Sequence, residues 1–383
     1  MPKQVIVEDV EALAAALREP GTRYAPAERV DATTLIAAAC AHRVLLVLGS
    51  ALAAAGTLET WPAAFRDRCR SAERSAVVLE CARHGELSSV LDALSAAGVR
   101  TLLIKGAALA YTWYPAPHLR VRSDTDLLID AGDIATTQAV FAELGYASHV
   151  ETSGRLVSYQ VHFTRQDRFG IAHAFDVHWK ISDRQALADA LSFDELWSGR
   201  IAVPAVGPAA AAASPPHALL IALLHRAGHH PGSEDLLWLY DVHLLAAGLS
   251  EEERQQFVGM AVSRGHDEIA VEGLQLACRR YRSPATIALA NAIEALSGNV
   301  ASRRWRRPSS LVDMLQLDLR ALPTWRARTS LLREHLLPPR HYMRQKYGIE
   351  STLLLPFFYV WRILAGAPAW FRRIAPQTSS PRT

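Results

Sequence analysis

At 383 residues, half of them hydrophobic and 21% charged, with a mean hydropathy of +0.05, the chain can bury a sizeable core, which excludes a mini-protein and a disordered chain. A formal charge of +3 is too small to argue by itself for a nucleic-acid or membrane partner. Cys40, Cys69, Cys81 and Cys278 form no C-x-x-C pair and no zinc spacing, and the acidic start MPKQVIVEDVEALAAAL does not read as a signal peptide. A cytoplasmic setting is therefore expected.

In chain order, VEDVEALAAAL, TTLIAAACAHRVLLVL and RSAVVLECARHGELSSVLDALSAAG carry apolar residues at three- and four-residue intervals and predict a helical region over 1–94. From Arg100 the texture changes. RTLLIKG is a short apolar run, AALAYTWY a helix, VRSDTDLLID a strand and DIATTQAVFAELGY a helix closed by glycine. VSYQVHFT and IAHAFDVHWKI read as an antiparallel hairpin, which completes a core over 95–205. The Pro-, Ala- and Gly-dense stretch 203–218 reads as a linker, followed by a helical region over 206–383. The expected class is α+β, a small mixed-sheet core flanked by N-terminal and C-terminal helical regions. No apolar run reaches the roughly 20 residues of a spanning helix.

Chemistry concentrates in Ser123-Asp124-Thr125-Asp126. Alternation along a strand puts Asp124 and Asp126 on one face and Leu127 and Ile129 on the other. Crowded carboxylates raise at least one pKa unless a cation compensates, and such oxygen donors suit Mg²⁺ bound with substrate phosphates. In Phe175-Asp176-Val177-His178-Trp179, Asp176 and His178 share a face in the same way. Gly106 stands where an apolar strand turns into a helix, a place at which free N–H groups attract phosphate. Together these parts point to phosphoryl-transfer chemistry. Arg120 and Arg122 either neutralise a triphosphate or pair with the aspartates.

These segments resemble the uncharacterised nucleotidyltransferases of the DNA polymerase β-like superfamily. LLIKGAALAYTWYP is similar to the family's Leu-Lys-Gly-Ala segment, LRVRSDTDLLI to its Arg-x-x-x-Asp-x-Asp strand, and FDVHWKI to its Asp-x-His-Trp strand. LLHRAGHHPGSEDLLWLYDVHLL and LLPPRHYMRQKYG extend the resemblance over roughly residues 100 to 365. It implies Mg²⁺- or Mn²⁺-dependent transfer of a nucleoside monophosphate from an NTP to an acceptor hydroxyl. Asp124, Asp126 and Asp176 would hold the metals and perform catalysis, with Asp176 serving the attacking hydroxyl, while Lys105 and Gly106 lie beside the phosphates. Two ions about 3.5–4 Å apart would clamp the attacking and leaving oxygens. The chain departs from the wider superfamily's Gly-Ser turn, reading Lys105-Gly106-Ala107. The acceptor stays open among a small molecule, peptide, glycan or RNA. So do two alternatives: a kinase or tailoring enzyme of a peptide or polysaccharide cluster, and a non-catalytic nucleotide- or RNA-binding module.

His225 and His229 share a helix face, but no glutamate follows His225 as H-E-x-x-H requires; His225 and Asp241 are expected to be polar contacts joining the helical region to the core, with contact to a nucleotide as the alternative. Trp113, Trp179 and Trp238 read as core aromatics. Residues 301–347 hold eleven Lys and Arg against three acids, expected to be a solvated helix face rather than a grip on nucleic acid, phosphates or an anionic membrane. The apolar segment from Leu353 to Trp361 is expected to dock on the protein's own core rather than on a membrane.

Overall fold

The computed structural model describes residues 7–23, 31–149, 156–298, 310–349 and 351–370. Part of the basic segment, 301–309, lies outside them. Helices α1 (Val7–Arg18), α2 (Ala32–Ala41), α3 (Leu45–Ala54) and α4 (Ala63–Ala96) precede β1 (Thr101–Leu103) and α5 (Lys105–Thr112). Then come β2 (Thr125–Ile129), α6 (Ile134–Glu143), β3 (Ala147–His149), β4 (Gln160–Gln166) and β5 (Ala172–His178). Short helices α7 (Gln185–Ala188) and α8 (Phe193–Ser198) lead to β6 (Ile201–Ala202) and β7 (Ala211–Ala212). The helical remainder comprises α9 (Pro215–His229), α10 (Leu236–Gly248), α11 (Glu251–Ser263), α12 (Asp267–Tyr281), α13 (Pro284–Ser297), α14 (Leu311–Ala321), α15 (Trp325–Leu336), α16 (Arg340–Tyr347) and α17 (Leu355–Trp370).

The seven strands form one mixed sheet in the order β3-β4-β5-β2-β1-β7-β6, as the α+β expectation requires. The predicted hairpin is present, with β4 antiparallel to β5. Strand alternation sends Leu103, Leu127, Ile129, Phe163, Phe175 and Val177 to one face, where they pack with Leu87–Leu94 of α4 and Phe141 of α6. Phe141 stacks on Phe163 with ring centroids 4.1 Å apart and meets Phe175 edge-on, which pins the hairpin to α6. Leu102, Ile104 and Leu128 point to the other face and belong to a second, larger core. That core contains Leu13, Leu35 and Leu48 from the N-terminal helices together with Leu219, Leu239, Ile269 and Leu289 from α9 to α13. The two helical regions that flank the sheet in sequence thus form one body in space.

The expected linker proves to be part of the sheet. Ala212 pairs with Leu103 of β1, and Val203, Val206 and Ala210–Ala213 are buried. Small side chains make a close-fitting edge here, and Pro215 opens α9 at a position where its missing N–H is no loss. Among the described residues no single helix is long and apolar enough to cross a membrane. The apolar pair α2 and α3, bent by 115°, buries its leucines in the large core.

Candidate active site

The polar residues of the sheet gather on the face toward α9. β2 and β5 are parallel neighbours with Asp126 opposite Asp176, and β4 places His162 opposite Asp176 on the other side. His178 lies one alternation beyond Asp176. Its Nε2 is 2.9 Å from Asp126 Oδ1, and His162 Nδ1 is 2.5 Å from Asp176 Oδ1. Ligand-capable atoms of Asp126, Asp176 and His178 all fall within 4.8 Å of one another.

Lys105 enters this cluster from the β1–α5 turn. Its Nζ donates to Asp126 Oδ1 at 2.8 Å and lies 3.2 Å from His178 Nε2. The turn is made by Lys105, with φ +52°, and not by Gly106 as the sequence suggested. A Cβ on Gly106 would meet only ordinary contacts with Arg120 and Arg122. Left-handed backbone is unfavourable for lysine, so its ties to Asp126 and His178 offset that strain. No side chain caps α5 at Ile104.

The carboxylates divide by charge balance. Burial would raise the Asp126 carboxyl, yet the Lys105 ammonium and the His178 ring hold it well below the usual range. Asp124 stands before β2, half-buried and accepting a hydrogen bond from Ser123 Oγ at 3.0 Å. Burial, then the charges of Asp126 and Asp176, push its carboxyl up. It neighbours the cluster electrostatically without supplying one of the mutually close donor atoms.

Arg120 and Arg122, expected near phosphate or the aspartates, are buried in other pairs. Arg120 grips Asp241 of α10 with Nε 2.8 Å from Oδ1 and Nη2 2.7 Å from Oδ2, and Tyr114 adds a hydrogen bond to the same carboxylate. Arg122 donates to Glu80 of α4 at 2.7 Å. Apolar surroundings demand a counter-ion for each guanidinium, and α10 and α4 supply one. The expected role of Asp241 as a link between helices and sheet is therefore present. Trp113 packs against the large core and Trp179 against the small one, while Trp238 is half-buried beneath the Arg43 guanidinium.

Over the cluster stand His225 and His229 of α9, their rings stacked 5.0 Å apart, with Ser182 Oγ 3.1 Å from His229 Nε2. Burial first and the Lys105 ammonium second lower both imidazoles well below their ordinary value, and burial lowers His266 to about 4. These folded-state values lie below the unfolded value near 6.5, so the unfolded chain binds more protons as pH falls. Stability should be fully present above about pH 6.5 and decline below it by on the order of 1 kcal/mol per pH unit for each such histidine. Urea midpoints at pH 7.5, 6.5 and 5.5 test this, and a midpoint unchanged across the series contradicts it.

His162 and His178 were not among the sequence candidates for the site. The signal for His178 was the same i, i+2 alternation that selects Asp176. His162 needed the hairpin register, which brings residues 162 and 176 into opposition.

The sequence profile described as uncharacterised nucleotidyltransferase matches residues 28–282. The chain belongs to the uncharacterised nucleotidyltransferase family. The match begins in the N-terminal helices, earlier than the resemblance near residue 100, and ends at α12, short of the expected 365. This nucleotidyltransferase family member thus carries α13 to α17 beyond the matched region. No curated protein matches the chain.

Proposed function

We propose that the protein transfers a nucleoside monophosphate from an NTP to an acceptor hydroxyl in a divalent-metal-dependent reaction. The observation that carries this reading is the parallel β2–β5 register, which brings Asp126, Asp176 and His178 together beside Lys105. The donor set fits a divalent ion: two carboxylates and an imidazole with converging atoms, where a cation is already needed to balance buried Asp126. Asp126 and Asp176 would hold Mg²⁺ or Mn²⁺, with Asp124 completing the carboxylate set. Such an ion supplies charge neutralisation at the phosphates and a lowered pKa for a bound hydroxyl.

The chain's own residues do the rest. His162 fixes the Asp176 carboxylate, which would accept the proton of the attacking hydroxyl. Once Asp126 serves as a ligand, Lys105 has its ammonium free for a phosphate oxygen, a role close to the one expected from sequence. The acceptor oxygen attacks the α-phosphorus, the bond to the bridging oxygen breaks, and pyrophosphate leaves. Arg120 and Arg122 support the loop before β2 instead of binding phosphate.

Incubation with α-³²P- and γ-³²P-labelled NTPs, Mg²⁺ or Mn²⁺ and panels of peptides, glycans, RNA and small hydroxyl compounds tests the proposal. The α label is expected on the acceptor. Transfer of the γ label would instead identify a kinase, and NTP binding with no transfer to any acceptor class would favour a non-catalytic binding module.

A further inference from the structure

A helix on the surface of a globular protein turns one apolar stripe inward and a polar face outward. The last helix among the described residues, α17, has no such polar face. Leu355, Phe358 and Tyr359 point inward and pack with Met343, Tyr347 and Ile349 on and after α16. Arg362, its only charged residue, is also on this side, with a guanidinium nitrogen 3.4 Å from the His335 carbonyl oxygen. At 100° per residue, Phe357, Val360, Trp361 and Leu364 occupy the opposite side, where Phe357 is 63%, Trp361 53% and Leu364 66% exposed. Leu353, just before the helix, is 90% exposed. Expected to dock on the core, the segment instead packs its inner face in a small cluster with α16, apart from the two main cores, and its outer face is exposed.

Charge chooses the occupant. From residue 335 to the end the chain has seven Arg and Lys, among them Arg340, Arg344 and Lys346, against a single acid, Glu350. Arg340, Arg344 and Lys346 are exposed on α16, the helix that packs against α17. A two-fold pairing of this face with a second copy would set one basic rim against another, which repulsion disfavours. A surface of anionic lipid complements both features: apolar side chains enter the acyl boundary, Trp361 sits at headgroup level, and the cations meet phosphate. The apolar stretch Thr352–Gly366 is too short to span a bilayer, so the helix would lie in the interface plane.

We propose that the outer face of α17, with the basic residues of α16, seats the protein on an anionic membrane surface. This does not depend on the catalytic reading. Co-sedimentation of the full chain with vesicles of phosphatidylcholine alone, and with vesicles also containing phosphatidylglycerol, tests it. The protein is expected to pellet with the anionic vesicles, less so as salt rises. Phe357→Gln with Trp361→Gln should weaken that binding at least about tenfold. Both side chains are exposed, so circular dichroism and the melting temperature should not change. Arg340→Glu with Lys346→Glu should reduce binding to the anionic vesicles specifically. The proposal is overturned if the parent stays in solution with both vesicle types, or if the aromatic double variant binds as the parent does. It is equally overturned if size-exclusion chromatography with light scattering shows a dimer that the aromatic double variant abolishes while the parent ignores vesicles, because a second copy then covers the face.

Discussion

Asp126→Asn is expected to lower nucleotidyl transfer by about 10²-fold or more, on the order of 3 kcal/mol of transition-state stabilisation. The amide keeps the shape of the carboxylate but removes the negative charge that a divalent ion requires. Asp176→Asn should act similarly, because the proposal gives this residue both a metal and the proton of the attacking hydroxyl, and His162 holds its carboxylate. Ligand-induced melting shifts provide a readout that needs no acceptor: Mg²⁺ with NTP should raise the melting temperature of the parent far more than that of either variant. Equal shifts in all three would refute the site. Without metal the aspartates should separate. Asp126→Asn strands the Lys105 ammonium and should cost about 2 kcal/mol. Asp124→Asn removes a carboxylate already disfavoured by burial and by its neighbours' charges, so the metal-free protein should keep or gain stability.

The second large effect belongs to the Arg120–Asp241 pair. Arg120 is 5% and Asp241 4% exposed, and burial opposes the guanidinium's charge until Asp241 more than offsets it. Arg120→Met leaves a buried carboxylate with only the Tyr114 hydroxyl, at an expected cost of about 3–5 kcal/mol in denaturant unfolding. Arg120→Met with Asp241→Leu should recover much of that loss, since an apolar pair leaves no charge uncompensated. A double variant no more stable than the single one would show that the ion pair is not the source of the effect. Because Arg120 anchors the loop entering β2, the single variant should also lose transfer activity through misplacement of Asp124 and Asp126.

Local periodicity made the fold class legible. The runs SDTDLLI and FDVHWK carry both the strands and the sorting of Asp126, Asp176 and His178 to one face, because alternation is a property of the chain itself. Partners distant in sequence were another matter. Arg120 finds its counter-ion 121 residues away and Arg122 finds its own 42 residues away, separations that carry no periodic trace. The alanine-rich stretch around Ala212 misled for a related reason: proline and glycine mark turns, but only the empty edge beside β1 decides that the alanines between them pair as a strand. The backbone of Lys105 was unreadable because lysine has no preference for left-handed φ and takes it here through its side-chain ties.

The 34-residue helix α4 is about 50 Å long. Its first turns place Phe65 and Cys69 in the large core, its last place Leu87, Val90, Leu91 and Leu94 beneath the sheet, and between them Glu80 holds Arg122. One rigid rod is thus shared by both cores, so neither can melt without withdrawing support from the other, and heat or denaturant should drive a single cooperative transition. A fragment beginning at residue 95, where composition suggested a domain boundary, would lose the helix that roofs the apolar side of its sheet. Such a fragment should collapse into an aggregation-prone state, whereas one retaining α4 keeps that apolar side covered.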